Sequence, residues 1–231
     1  MANIEAGERH YPASDDTADP PYLHADYAST VKKSPSRAAI PLEHTVTELS
    51  GPVFEAGDKV ENDLTQQGES LPLGERIDVK GRVLDEDGNP YAGALVEMWQ
   101  ANASGRYRHL TDNRDAPLDP NFVGAGRYNS DADGCYEFKT IRPGAYPVPN
   151  SDWWRPAHLH FSITGPSVVA RLITQMYFPG DPLLAFDAIY NSIADKDARE
   201  RLLARFAPEL GEHGKSLGYK FDIVLRGQAQ V

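Results

Sequence analysis

This sequence predicts an all-β fold: an antiparallel β-sandwich with an extended N-terminal arm and one short helical segment near residues 186–206. Two observations predict it. Strand-like runs are joined by Asp-Gly turn signals, as in "RIDVKGRVLDEDGNPYAGALVEMWQ" and "GRYNSDADGCYEFKTI". These strands do not alternate with helices, which argues for a sandwich over a parallel α/β sheet. At 231 residues the chain is long enough for a full core, and one domain with extensions is favoured over two.

Residues 1–72 are rich in Pro, Asp, Ser and Gly and show little periodicity; "HADYASTVKKSPSRAAI" is a short ordered patch at most. An irregular stretch of this length needs a surface to lie on, so it is read as an arm making oligomer contacts. Residues 73–231 have the texture of the sandwich itself. The turn "DADG" brushes the calcium-loop pattern but lacks the third acidic position and the closing Glu, and it is read as a turn. "AHLHFSITG" and "RLITQMYF" follow as strands, and "YKFDIVLRG" makes a late one. Only "FDAIYNSIADKDARERLLARF" reads as helix, with Ile189, Ile193, Leu202, Leu203 and Phe206 as its apolar positions.

Acidic residues number 34 against 23 basic ones, a net charge of −11. That disfavours nucleic acid and anionic membranes, which reward basic patches. The single cysteine, Cys135, allows no internal disulfide and no Cys-rich zinc site, and is read as a small, partly buried hydrophobe. The polar start "MANIEAGERHYPASDD" has no apolar signal core, and no run of 18 apolar residues occurs. A soluble, cytoplasmic protein is expected.

The informative stretch is "RPAHLHF". On a strand, His158 and His160 project side by side on one face. Strand histidines satisfied by hydrogen bonds are one reading. A cupin-like iron site is another, but Phe161 to Val169 contain no carboxylate to complete it. A zinc hydrolase on a β/α barrel is a third, and the repeated βα units it needs are missing. Tyrosines are nearby instead: Tyr107 in "SGRYRHL" and Tyr146 in "RPGAYPVPN", both in Gly/Pro-punctuated turns. A phenol with a pKa near 10 is a poor ligand alone, but a trivalent ion deprotonates what it binds. Two phenolates, two neutral imidazoles and a hydroxide around Fe(III) carry no net charge, which a low-dielectric interior tolerates.

Four blocks, "WQANASGRYRH", "RPGAYP", "WRPAHLHF" and "LITQMYFPGDPL", resemble in order and spacing the intradiol aromatic-ring dioxygenases. The likeness runs from about Leu73 to Gly227, more thinly into the arm, and is nearest to the iron-bearing beta chains of the protocatechuate-cleaving branch. The resemblance implies non-heme Fe(III) with Tyr107 and His158 as equatorial ligands, Tyr146 and His160 as axial ones, and water or hydroxide as the fifth. It implies that Tyr146 is also the mobile base, that Arg155 is catalytic, and that Gln175 hydrogen-bonds to it. Tyr27, Trp99, Val148, Tyr177 and Ile189 fall at substrate-pocket positions, with plain core packing the competing reading for Trp99 and Tyr177. His109, two residues after Tyr107, is not a ligand in the family pattern.

The implied activity is intradiol cleavage of protocatechuate with O2, in an oligomer with a homologous alpha chain. One departure bears on the substrate. After its mobile tyrosine this chain reads "YPVP", where that branch has Trp-Arg after Tyr-Pro, and the loop onward to "DWWRPAH" is one residue shorter. Val148 resembles the catechol and hydroxyquinol branches, so those catechols and 4-sulfocatechol are alternative substrates. A metal-free sandwich serving as a binding module is the alternative from another class, and colour separates the two.

Overall fold

The computed structural model describes residues 21, 23–25, 27–37, 61–149, 151–165 and 171–225. Most of the arm read over residues 1–72 therefore lies outside the described residues. The strands, in chain order, are β1 (Arg76–Leu84), β2 (Leu95–Trp99), β3 (Ala125–Asn129), β4 (Cys135–Ile141), β5 (Tyr146–Pro147), β6 (Trp154–Arg155), β7 (His158–Thr164), β8 (Leu172–Tyr177), β9 (Arg205–Phe206), β10 (Leu217–Lys220) and β11 (Ile223–Val224).

Two sheets face each other. One has the order β3-β2-β7-β8, and every neighbour in it is antiparallel. The other is built on β1, which pairs antiparallel with β4 on one side and parallel with β10 and then β11 on the other. The parallel pairs depart from the purely antiparallel expectation. The chain reaches β10 through a long crossing after β8, so it returns in the direction of β1, as parallel pairing requires. The single late strand expected over "YKFDIVLRG" splits in two, because the Asp222 carboxylate takes the Arg82 N–H at 3.0 Å where a strand carbonyl would sit.

Alternation along each strand sorts residues between core and outer face. On β7, Leu159, Phe161 and Ile163 point into the core with Val96 and Met98 of β2, against Val79, Tyr136 and Phe138 of the facing sheet. Phe161 sits at the centre, 5.9 Å from the Tyr136 ring and 6.3 Å from the Phe138 ring, both edge-on. Leu64, within the stretch read as arm, is buried in this core on a short 3-10 turn that Asp63 caps. The other parity of β7, His158 and His160, is left on the outer face of its sheet.

The helical segment expected near 186–206 is present in pieces. A 3-10 turn (Pro182–Phe186) is followed by α2 (Ala188–Asn191) and α3 (Lys196–Glu200), while Phe206 lies exposed on β9. The cause is local: Asp187 and Asp195 each accept backbone N–H bonds as N-caps and restart the chain. The earlier α1 (Ala28–Lys33) falls in the ordered patch of the arm. The "DADG" stretch is a turn in which the Asp131 carboxylate accepts the N–H groups of Asp133 and Cys135. Cys135 is partly buried and free. Among the described residues, no helix is long and apolar enough to cross a membrane.

Candidate metal centre

Strand register assembles the first half of the site. His160 lies opposite Trp99 on one side and Gln175 on the other, and His158 lies opposite Tyr177. Directly opposed residues share a face, so these side chains form a patch on the outer surface of the β3-β2-β7-β8 sheet. Trp99 stacks on His160, with ring centroids 5.0 Å apart and planes 5° from parallel. Trp99 thus lies against His160 on the outer face of the sheet and outside the buried core cluster. His158 donates from Nδ1 to the Pro156 carbonyl at 2.7 Å, which leaves the Nε2 lone pair facing outward.

Two turns deliver the tyrosines. Tyr107 follows a loop organised by buried Asn102, whose side chain accepts the N–H groups of Ser104 and Arg106. Tyr146 stands on β5 of the small β5–β6 hairpin. The turns meet backbone to backbone through two glycines, Gly144 donating its N–H to Asn102 O at 2.9 Å. A Cβ on Gly144 would lie 2.6 Å from Gly105 N and closer still to Ala103 O, so only glycine permits this approach. The result is an edge-on pair of phenols, Tyr107 and Tyr146, with centroids 5.6 Å apart.

Four donor atoms converge. His158 Nε2 is 3.2 Å from His160 Nε2 and 3.3 Å from Tyr146 Oη. Tyr107 Oη is buried with no hydrogen-bond partner. Donors held about 2.0–2.1 Å from one metal ion at right angles sit about 3 Å apart, which is the spacing seen. Burial and the neighbouring Arg155 guanidinium push His158 well below its ordinary value and His160 down to about 3. Burial likewise pushes both phenols up, Tyr107 further because Tyr146 adjoins it. Neutral imidazoles and reluctant phenols, the Tyr107 oxygen without a partner, fit a strongly charged cation, which would supply what ionises the phenols. Among the described residues no cluster of three or more His, Cys, Asp or Glu side chains offers a metal site.

Against these facts stand the comparisons with known proteins. A family profile described as "Dioxygenase" matches residues 49–227, and one described as "Protocatechuate 3,4-dioxygenase beta subunit N terminal" matches residues 13–45. A "Protocatechuate 3,4-dioxygenase beta chain" from Burkholderia cepacia is 54% identical over 214 residues, covering 90% of this chain and 91% of that one. The chain belongs to the intradiol dioxygenase family. A "Hydroxyquinol 1,2-dioxygenase" from Rhizobium sp. is 33% identical over 63% of this chain, which spans only 50% of that relative. Among solved structures, a hydroxyquinol 1,2-dioxygenase from Pseudomonas putida DLL-E4 superposes with a TM-score of 0.55 at 27% identity. That match covers 87% of this chain and 71% of that one. Intradiol dioxygenases generally use non-heme iron.

Further residues surround the donors of the candidate centre. Arg155 is almost fully buried, and its Nη2 donates to Tyr177 Oη at 2.9 Å and, closely, to Gln175 Oε1. Tyr177 in turn donates to Gln175 Oε1 at 2.8 Å, so Tyr177 is buried as a hydrogen-bonding member of the site. Burial alone would pull the Arg155 guanidinium down, but Tyr177, Asp187, Tyr146 and Tyr27 together hold it above its ordinary value. Tyr27, from the arm, packs near Trp153 with centroids 6.2 Å apart and acts electrostatically on Tyr107, Tyr146 and Arg155.

Ile189 is half-buried on the first turn of α2. Val148 is buried in the β5–β6 turn, its N–H bonded to Trp153 O. His109 is exposed and bonded to Thr111, away from the donors. Sequence reading missed three groups: Asn102, Asp187 and the Arg114–Asp112 pair. Arg114 lies over the Tyr146 ring, 4.4 Å from its centroid, and Asp112 both pairs with it and accepts the Tyr107 N–H at 2.8 Å. Only Asp187 left a local signal, as an Asp directly ahead of a helical run.

Proposed function

We propose that this intradiol dioxygenase is the iron-bearing chain of an enzyme that cleaves protocatechuate with O2 between its two hydroxyl-bearing carbons. The product is 3-carboxy-cis,cis-muconate. The observation that carries the reading is the convergence of two imidazole nitrogens and two phenols beside a buried arginine. The 54% identity to the Burkholderia chain supports this substrate over other catechols. Tyr107, Tyr146, His158 and His160 would hold non-heme Fe(III), and the bound ion would supply Lewis acidity toward the two oxygens of a catechol.

The chain's own groups do the rest. A catechol must lose two protons to bind as a dianion, and Tyr146 Oη is placed to take one. Tyr146 suits that part because it stands on a two-residue strand and its oxygen lies 3.3 Å from His158 Nε2. Arg155, held in one plane by Gln175 and Tyr177, presents fixed positive charge toward the negative charge that develops on the ring. Trp99 fixes the His160 ring by stacking, while Tyr27, Val148 and Ile189 stand on the substrate side. The N-terminal match at residues 13–45 supports a homologous alpha chain as partner, since that profile describes a beta subunit.

The test is iron content and colour of the co-expressed complex, with product identified by its absorption spectrum. Phenolate-to-iron charge transfer should make the protein red-brown, and His158→Ala should remove most iron and colour. Full iron occupancy in His158→Ala would refute the ligand set. A colourless protein, inactive with added iron, would instead indicate a metal-free binding module. A monodisperse, fully active monomer in light scattering would refute the partner.

A further inference from the structure

One buried charge in the site has no part in the scheme above. Asp187 is completely buried, and both of its carboxylate oxygens face Arg155 Nε, at 3.2 and 3.3 Å. The guanidinium is therefore gripped from two sides, by Asp187 at Nε and by Tyr177 and Gln175 at Nη2. Nη1 is the one guanidinium nitrogen with no partner among the described residues.

The same carboxylate holds a second element. Its Oδ1 accepts the Ile189 N–H at 3.1 Å, and the Asp187 carbonyl accepts both the backbone and side-chain N–H groups of Asn191. Its own N–H donates to Leu184 O and closes the preceding 3-10 turn. Orientation of the arginine and placement of α2, which carries Ile189, thus meet at a single residue.

A buried ion pair is a weak source of net stability, because desolvation of both charges offsets their attraction. What the pair does supply is geometry and charge balance at a fixed point. We propose that Asp187 is a positioning residue. It aims Nη1 of Arg155 at the substrate, balances the arginine's charge, and couples both to the α2 wall of the pocket. The inference rests on the reading of Arg155 as catalytic.

The test is a double-mutant cycle on the iron-loaded complex, with Arg155→Gln, Asp187→Asn and the pair combined. Asp187→Asn keeps the shape and the cap acceptor but removes the charge. It should retain iron and the charge-transfer band while kcat falls at least tenfold. KM for anionic protocatechuate should stay level or fall, because the site gains net positive charge. In the Arg155→Gln background the same substitution should change kcat less than twofold, since there is no guanidinium left to aim. Independent, multiplying losses in the cycle would overturn the proposal. So would a wild-type kcat in Asp187→Asn when Arg155→Gln is crippled. If Arg155→Gln itself turns over normally, the underlying reading of Arg155 has failed instead. Asp187→Glu guards against a misfolded Asn variant, since it keeps the charge but displaces the carboxylate by one methylene. Lowered kcat with iron retained is expected there, and unchanged kcat refutes the positioning role.

Discussion

Gly144→Ala tests the claim that two abutting glycines set the separation of the Tyr107 and Tyr146 phenols. The added Cβ would sit 2.6 Å from Gly105 N, against an ordinary contact of about 3.5 Å, so the turns must part by roughly 1 Å. Neither neighbour is the tip of a flexible side chain; both are backbone, so the strain has no cheap outlet. Overpacking of this kind costs about 1–3 kcal/mol. For a domain of this size that is a Tm fall of about 3–10 °C. The Tyr107–Tyr146 pair, now 5.6 Å between centroids, would open by a comparable fraction of an ångström to an ångström. Misplacement by about 1 Å at a reacting centre costs on the order of a hundredfold in rate. The assays are thermal melting, iron stoichiometry and the position of the charge-transfer band, followed by steady-state turnover. Gly105→Ala is the companion variant; its φ of +80° adds about 1–2 kcal/mol of left-handed strain. A Gly144→Ala protein with the wild-type band, full iron and a Tm within 1 °C would refute the reasoning.

Arg155→Lys keeps the charge but loses the planar fork to Gln175, Tyr177 and Asp187. Iron should stay while kcat/KM drops about a hundredfold or more, some 3 kcal/mol, and near-normal turnover would make Arg155 a scaffold residue. Phe161→Ala removes the ring at the centre of the core and should cost about 3–5 kcal/mol in denaturant titration; a loss below 1 kcal/mol would contradict the packing described. Burial would raise the Asp112 carboxyl, yet bonds from the Arg114 side chain and from the Tyr107 and Arg114 N–H groups bring it down to about 2. Its stabilising contribution is therefore complete above the unfolded value near 4 and is lost as pH falls toward 2. Melts of Asp112→Asn and the parent chain should differ at pH 7 and converge over that window; a constant difference would sink the assignment. Finally, the missing indole and guanidinium after Pro147 should relax selectivity, so kcat/KM for at least one of catechol, hydroxyquinol and 4-sulfocatechol should lie within about a hundredfold of protocatechuate. A larger preference over all three would show a pocket as strict as its Trp-Arg relatives.

Residues adjacent in the chain were the legible part of this site. The i, i+2 spacing of His158 and His160 fixes a shared face once the segment is a strand, and Gly-x-Tyr marks both tyrosine turns. The pairing of Arg155 with Gln175 came from family likeness, and no local pattern shows it, because Arg155 stands on β6 and Gln175 on β8, strands of different sheets. Asp187 was legible only as a helix cap; its ion pair with Arg155 was not, because it spans 32 positions and depends on where a broken helix docks. The break itself was hidden by apolar periodicity, which continues across Asp187 and Asp195 although both carboxylates prefer to cap. Parallel pairing of β10 and β11 with β1 escaped for a similar reason: alternation shows that a strand exists, not which way its neighbour runs.

His158 and His160 alternate along β7 with Leu159 and Phe161, so the sheet that builds the core also carries the donors on its back. Insertion or deletion of one residue in β7 would swap the two sets and ruin both. Three other segments answer to a different constraint. The β5–β6 turn with Val148, the segment around Ile189, and the arm with Tyr27 come from separate stretches of chain, apart from the strands of the two facing sheets. Each can drift in length or residue without disturbing the rows of β7. Changes in those segments leave His158 and His160 where β7 puts them.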